Sequence, residues 1–159
     1  MKIHHIRFSG AILERGFWLY IWRIQSDTRT FFYVGRTGDS SSKYAASPFS
    51  RLGQHLDVRQ TANANMLLRH VRKMGLDPLA CNYELIALGP LFPEQPTLDL
   101  HREIRDRIAS IEAELASYLR AKGLEVVGNH LTTNIADPRL FAEVQRAFDA
   151  AFVNLTAKQ

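Results

Sequence analysis

Hydrophobic positions come in unbroken runs near the start of the chain and at helical spacing later. Phe17 to Ile24 is aromatic and aliphatic at all but one position, Ser26-Asp27-Thr28-Arg29 is a polar turn, and Thr30 to Arg36 is a second apolar run. Aromatic and β-branched runs flanking a short polar turn predict an antiparallel hairpin. Ile3 to Phe8 reads as a further edge strand. Gly38 to Ser47 is a polar loop holding four serines, longer than a strand-to-helix link requires. Ser47 followed by Pro48 matches a helix N-cap and first helical position, so a helix is expected to about Val58. A second is expected over Asn63 to Met74, with Leu67, Val71 and Met74 inward and Gly75 as its stop. Cys81 to Leu88 reads as a third strand.

Beyond a proline-marked loop from Pro90 to Pro96, Thr97 is placed to cap a long helix. Leu100, Ile104, Ile108, Ile111, Leu115 and Leu119 recur at spacings of four and three along it, and Gly123 ends it. Glu103 and Arg107 form an i,i+4 pair on its wet face. Val126-Val127 reads as a short last strand. Asp137-Pro138 opens a terminal helix over about 137–156, carrying Leu140, Phe141, Val144, Phe148 and Phe152, which either caps the core or forms a dimer seam. The order ββαα-β-α with a tail helix is α+β and does not alternate strand with helix. At 159 residues and 46% hydrophobic, with no Pro/Gly/Ser-rich linker, the chain is sized for one domain over 1–159 with its core at about 16–135.

The net charge is +4, and 15 of the 20 Lys and Arg residues are arginine. Arginine's planar fork suits bidentate phosphate contact better than lysine's point charge does, and the balance fits a nucleic-acid partner. Cys81 is the only cysteine, which excludes an internal disulfide and a thiolate metal site and reads as a buried structural thiol. No N-terminal run resembles a signal peptide and no stretch approaches membrane-spanning length. A cytoplasmic setting and no membrane partner are the expectation.

Certain polar residues stand out within these elements. Tyr20 and Tyr33 lie on neighbouring predicted strands, in Trp18-Leu19-Tyr20 and Tyr33-Val34-Gly35, with Arg36 next. Gly35 is small enough to let a backbone or a phosphate come close. Arg51 and His55, four apart, share one face of the first helix. Among the acids of the long helix, Glu112 lies at the border of the apolar stripe at about 100° per residue, and its helical neighbours Ile108, Ala109, Leu115 and Ala116 carry no countercharge. Glu114 is the alternate. A carboxylate so placed suits a cation ligand, or it is a glutamate tolerated at the rim of the core. The pair His4-His5, with His70, His101 and His130, shows no metal-ligand spacing.

This order of tyrosines, arginine, histidine and glutamate resembles the GIY-YIG nuclease family, named for its paired tripeptides. The second tripeptide is close to the family pattern; the first keeps only the tyrosine and an aliphatic before it. The resemblance covers roughly residues 16–135. It implies a small central antiparallel β-sheet flanked by helices, and endonucleolytic hydrolysis of a phosphodiester, most readily in DNA, with one divalent cation, Mg²⁺ or Mn²⁺. It implies Glu112 as the metal ligand, Arg51 at the phosphoryl oxygens, Tyr20 as general base, His55 as relay or brace, Tyr33 and Arg36 beside them, and an asparagine after a short apolar segment. Asn129 fits that place, with Asn134 as alternate. Lys43, Arg69, Arg72 and Lys73 are candidates for backbone contact, which gives affinity without sequence reading; Arg69 and Arg72 read equally as a solvated helix face. Relative to compact members the serine-rich loop is an insertion. A nucleic-acid-binding or scaffold module without catalysis is the alternative, an RNA-directed nuclease is a third reading, and the chain is expected to be a monomer or homodimer.

Overall fold

The computed structural model describes residues 2–39, 42–59 and 61–156, the side chains of 153–156 excepted. Strand β1 (Phe17–Gln25) and strand β2 (Thr30–Arg36) form the expected hairpin. Helices α1 (Pro48–His55) and α2 (Met66–Lys73) follow, then β3 (Asn82–Phe92), the long α3 (Leu98–Ala121), the two-residue β4 (Val126–Val127) and α4 (Pro138–Thr156). The sheet order is β3-β1-β2-β4. The fold is α+β, as the order of elements implied.

The sheet is mixed where an antiparallel one was expected. β2 and β3 both run antiparallel to β1, and β4 pairs parallel to β2 through Phe32 opposite Val126 and Tyr33 opposite Val127. The cause is topological. β2 and β3 run the same way, and α3 carries the chain back along its length, so β4 starts from the same end and follows that direction.

β1 is central and buried on both faces, which explains a run with almost no polar alternation. Phe17, Leu19 and Ile21, joined by Phe32 and Val34, pack against Ile108, Ile111, Leu115 and Leu119 of α3. Val144 and Phe148 of α4 belong to the same cluster, so the terminal helix caps this core. On the opposite face Tyr20, Trp22, Ile24 and Phe31 meet Leu67, Leu68 and Val71 of α2. The site chemistry lies at the end of the sheet near α1, with Tyr20 and Tyr33 on this second face and Arg36 and Glu112 reaching it from the α3 side.

Several boundaries moved. Ile3 to Phe8 pairs with no strand, because β3 occupies the outer side of β1; Ile3 and Ile6 are exposed, and the Phe8 ring sits 4.8 Å from that of Phe49. α1 stops at His55 and α2 starts at Met66. Between them the Asp57 carboxylate accepts from the Arg59 backbone N–H, and the Asn65 side chain donates to the Asp57 carbonyl, local bonds that compete with helix. β3 runs on through Pro90 to Phe92, which an edge strand tolerates because its outer N–H groups need no partner. Arg107 pairs with Asp137 at 2.6 Å in place of Glu103. Cys81 is half-buried, its Sγ 3.5 Å from the Asp77 carbonyl oxygen. Of the four serines expected in the polar loop, Ser40 and Ser41 lie outside the described residues. Among the described residues no helix is long and apolar enough to cross a membrane.

Candidate active site

Tyr20 faces the α1 side of β1 and stands directly across the ladder from Gly35. Its ring covers that glycine so closely that a Cβ at position 35 would lie 2.5 Å from Cε2 and 2.7 Å from the hydroxyl. Gly35 therefore makes room for the phenol. The close approach expected for a phosphate belongs to Tyr20.

Helix α1 is set by Ser47, whose Oγ accepts from the Ser50 N–H, and by Pro48 in its first turn. Arg51 and His55 project from one side of it, one turn apart. His55 is buried at 3% exposure, and its Nε2 lies 2.8 Å from the Tyr20 hydroxyl. Its ring also meets the edges of Tyr33 at 5.5 Å and Trp22 at 6.5 Å. The other ring nitrogen, Nδ1, is buried and has no hydrogen-bond partner among the described residues.

Two ion pairs complete the cluster. Arg36, at the end of β2, binds Oε2 of Glu112 on α3, and both side chains are largely buried. Arg51 binds Asp39, and its Nη1 donates to Gln54 Oε1 at 3.0 Å. Tyr20, Tyr33, Gly35, Arg36, Asp39, Arg51, His55 and Glu112 all border one cleft of about 290 Å³. Four elements and the loop after β2 thus converge on a single space.

Burial dominates the electrostatics. It pushes the Tyr20 phenol well above its usual 10, with the Arg51 charge pulling the other way. Tyr33 is pushed up to about 12 by burial and then by Glu112. His55 is held down at about 4, first by burial and then by Arg51, so its imidazole is neutral at pH 7. The Glu112 carboxyl is raised by burial, which outweighs the neighbouring Arg36 charge. Shifts with such specific causes, gathered in one cleft, are typical of functional sites.

Other expected residues lie elsewhere. Glu114 is exposed on α3, whereas Glu112 borders the cleft. Asn129 is exposed and does not border it; the loop turns at Gly128, whose φ is 99°, and swings the asparagine outward. Asn134 borders a neighbouring open groove of about 680 Å³, which shares Arg36 and Asp39 with the cleft. Lys43 donates to the Pro96 carbonyl and lies over the Tyr44 ring. Arg69 binds Asn65 Oδ1 at 3.1 Å, and Arg72 donates to the Val58 carbonyl at 3.0 Å. Lys73 is exposed, and none of these four basic residues borders the cleft.

One residue of the cleft, Asp39, and one beside it, His130, carried no signal in the sequence. Asp39 has nothing local to pair it with Arg51, twelve positions on. His130 binds the Val34 carbonyl through Nε2 at 3.0 Å and packs 6.3 Å from the Tyr33 ring. Among the described residues no group of three or more His, Cys, Asp or Glu side chains is arranged to hold a metal ion. No family model, no curated protein and no solved structure matches this chain.

Proposed function

We propose that this chain is a divalent-cation-dependent endonuclease of the GIY-YIG type that hydrolyses phosphodiester bonds in DNA, acting in the cytoplasm. The observation that carries the proposal is the meeting of Tyr20, Tyr33, Arg36, Arg51, His55 and Glu112, spread over more than ninety positions, around one cleft. A structural role alone gives no reason to gather two guanidinium groups, two phenols and a neutral imidazole about an open space.

The donor set fits Mg²⁺ or Mn²⁺. These hard cations take oxygen ligands, keep several waters and need only one or two carboxylates beside a substrate phosphate. Glu112 would hold the ion: it borders the cleft, where Arg36 meets its Oε2. When bound, the cation supplies charge neutralisation at the scissile phosphate.

The chain's own groups divide the remaining work. Arg51, fixed by α1 and Gln54, faces negative charge building on the phosphoryl oxygens. Arg36 holds the Glu112 carboxylate in position. Tyr20 and His55 act as a unit. A free phenolate at Tyr20 is disfavoured by burial, but the phenol proton can pass along the 2.8 Å hydrogen bond to neutral Nε2 of His55 as the Tyr20 oxygen takes a proton from water. Tyr33, bordering the same cleft, orients the water or the phosphate.

A second reading, a nucleic-acid-binding module without catalysis, draws on one observation: both carboxylates of the cleft are engaged by arginines. Incubation of supercoiled plasmid with the protein, with and without Mg²⁺ or Mn²⁺, separates the two. Ion-dependent nicking that disappears in Glu112→Gln supports the enzyme. Binding of duplex, single-stranded and branched DNA without cleavage of any supports the module, and parallel digestion of RNA identifies an RNA-directed enzyme.

A further inference from the structure

The two ion pairs of the cleft differ. In Arg36–Glu112 the side chains are 20% and 12% exposed, so both partners are enclosed; in Arg51–Asp39 they are 17% and 42% exposed. Arg51 is therefore a fixed receptor, built into α1 and held by Gln54, while its acid stands at the wet mouth. Asp39 is also the first residue after an anchored point. The Gly38 carbonyl meets His101 Nε2 at 3.1 Å, and the Phe17 ring fills the space where a side chain at position 38 would go.

A carboxylate and a phosphodiester present the same face to a guanidinium: one negative charge shared by two oxygens, matched to the same two-pronged donor. We infer that Asp39 occupies the phosphate subsite of Arg51 and is displaced when one phosphodiester group of the substrate enters. The inference rests on the nuclease reading and adds the residue that sets access to its phosphate site. Displacement is cheap. A partly exposed ion pair of this kind weakens competing anion binding by only about two- to fivefold. Asp39 thus admits a polyanionic strand, which brings neighbouring phosphates, more readily than a single small anion.

The sign of one substitution tests this. Binding of a fluorescently labelled DNA oligonucleotide is followed by anisotropy in EDTA for the full chain, for Asp39→Asn, for Arg51→Met and for the double variant. Removing the competitor is expected to tighten binding by about two- to fivefold, and Asp39→Ser repeats the gain without an amide. The gain must vanish in the Arg51→Met background, since the two residues are coupled only through their contact. Unchanged or weaker binding by Asp39→Asn overturns the inference; weaker binding is what a substrate- or ion-holding role for Asp39 gives. A gain that survives in Arg51→Met also overturns it, because that is plain removal of a negative charge. In both cases a wild-type chain that binds the oligonucleotide leaves the nuclease reading standing. Absence of DNA binding in every arm overturns the inference and that reading together.

Discussion

The Tyr20 hydroxyl and Nε2 of His55 meet at 2.8 Å across 35 positions of sequence, one from the central strand and the other from the last turn of α1. Both groups are almost wholly buried, and each is shifted by that burial toward its uncharged form. In the proposed reaction the phenol proton moves to Nε2 while the oxygen takes one from water, so the charge falls on the imidazole, where burial disfavours it, and not on the phenol.

Replacing Tyr20 with Phe keeps the ring over Gly35 and removes only the hydroxyl. Cleavage should fall by about 10²- to 10⁴-fold, the range for a lost proton-transfer group. Stability should drop by about 1 kcal/mol, because His55 Nε2 loses its partner. Turnover under single-hit plasmid nicking and a urea melt measure the two effects separately. Wild-type cleavage by Tyr20→Phe removes the phenol from the chemistry.

His55 gives stability a pH dependence of definite sign. Its folded value of about 4 lies below the 6.5 of the unfolded chain. Between those values the unfolded chain binds the extra proton, so stability falls as pH drops through the window, by up to about 3 kcal/mol from this group. His70 and His130, also lowered by burial, add to the slope. The difference between wild type and His55→Gln isolates the His55 part. Parallel stability curves for the two proteins from pH 7 to pH 4 would contradict it.

Gly35→Ala tests the strand register behind the site. The added methyl has the rigid Tyr20 ring 2.5 Å away, so the ring or the strand must shift. Overpacking of this kind costs about 1–3 kcal/mol, and here it also displaces the hydroxyl from His55. Denaturant unfolding at wild-type stability would show that the phenol does not lie over Gly35.

The hairpin, the long helix and the capping tail were legible because each obeys one strong local rule. A strand buried on both faces is apolar at nearly every position, α3 keeps its three-and-four spacing from Leu100 to Leu119, and Ser47 and Thr97 accept from the N–H groups of Ser50 and Leu100 as their positions implied. The place of Glu112 at a cleft was legible for a related reason: a carboxylate at the border of an apolar stripe with no charge on its own helix suits a cleft edge, but the partner it has there, Arg36, carried no local signal. The rest depended on contacts that no local pattern encodes. The ends of α1 and α2 were decided by Asp57 and Asn65 binding backbone groups. β4 spans two residues, too few for any periodicity. Asp39 reaches Arg51 only because the chain between them folds back, and Asn129 was turned outward by the residue before it.

Glu112 separates function from stability. Burial holds its carboxyl above the usual range, so its ionised form opposes folding, and its contribution is best at low pH and declines as pH rises through that raised value. Glu112→Gln, which keeps the shape and removes the charge, should melt at or above the wild-type temperature at pH 7 while losing cleavage, the behaviour of a residue kept for activity. A markedly lower melting temperature would make the Arg36–Glu112 pair a structural brace.

The most direct measurement is nicking of supercoiled plasmid by wild type, Arg51→Met and Glu112→Gln, each shown by circular dichroism to be folded, in Mg²⁺, in Mn²⁺ and in EDTA. Nicking is expected from the wild type only when the divalent ion is present, with none above background from either variant. Wild-type protein that leaves DNA intact in every condition, or variants that cut as fast as wild type, would contradict the nuclease reading.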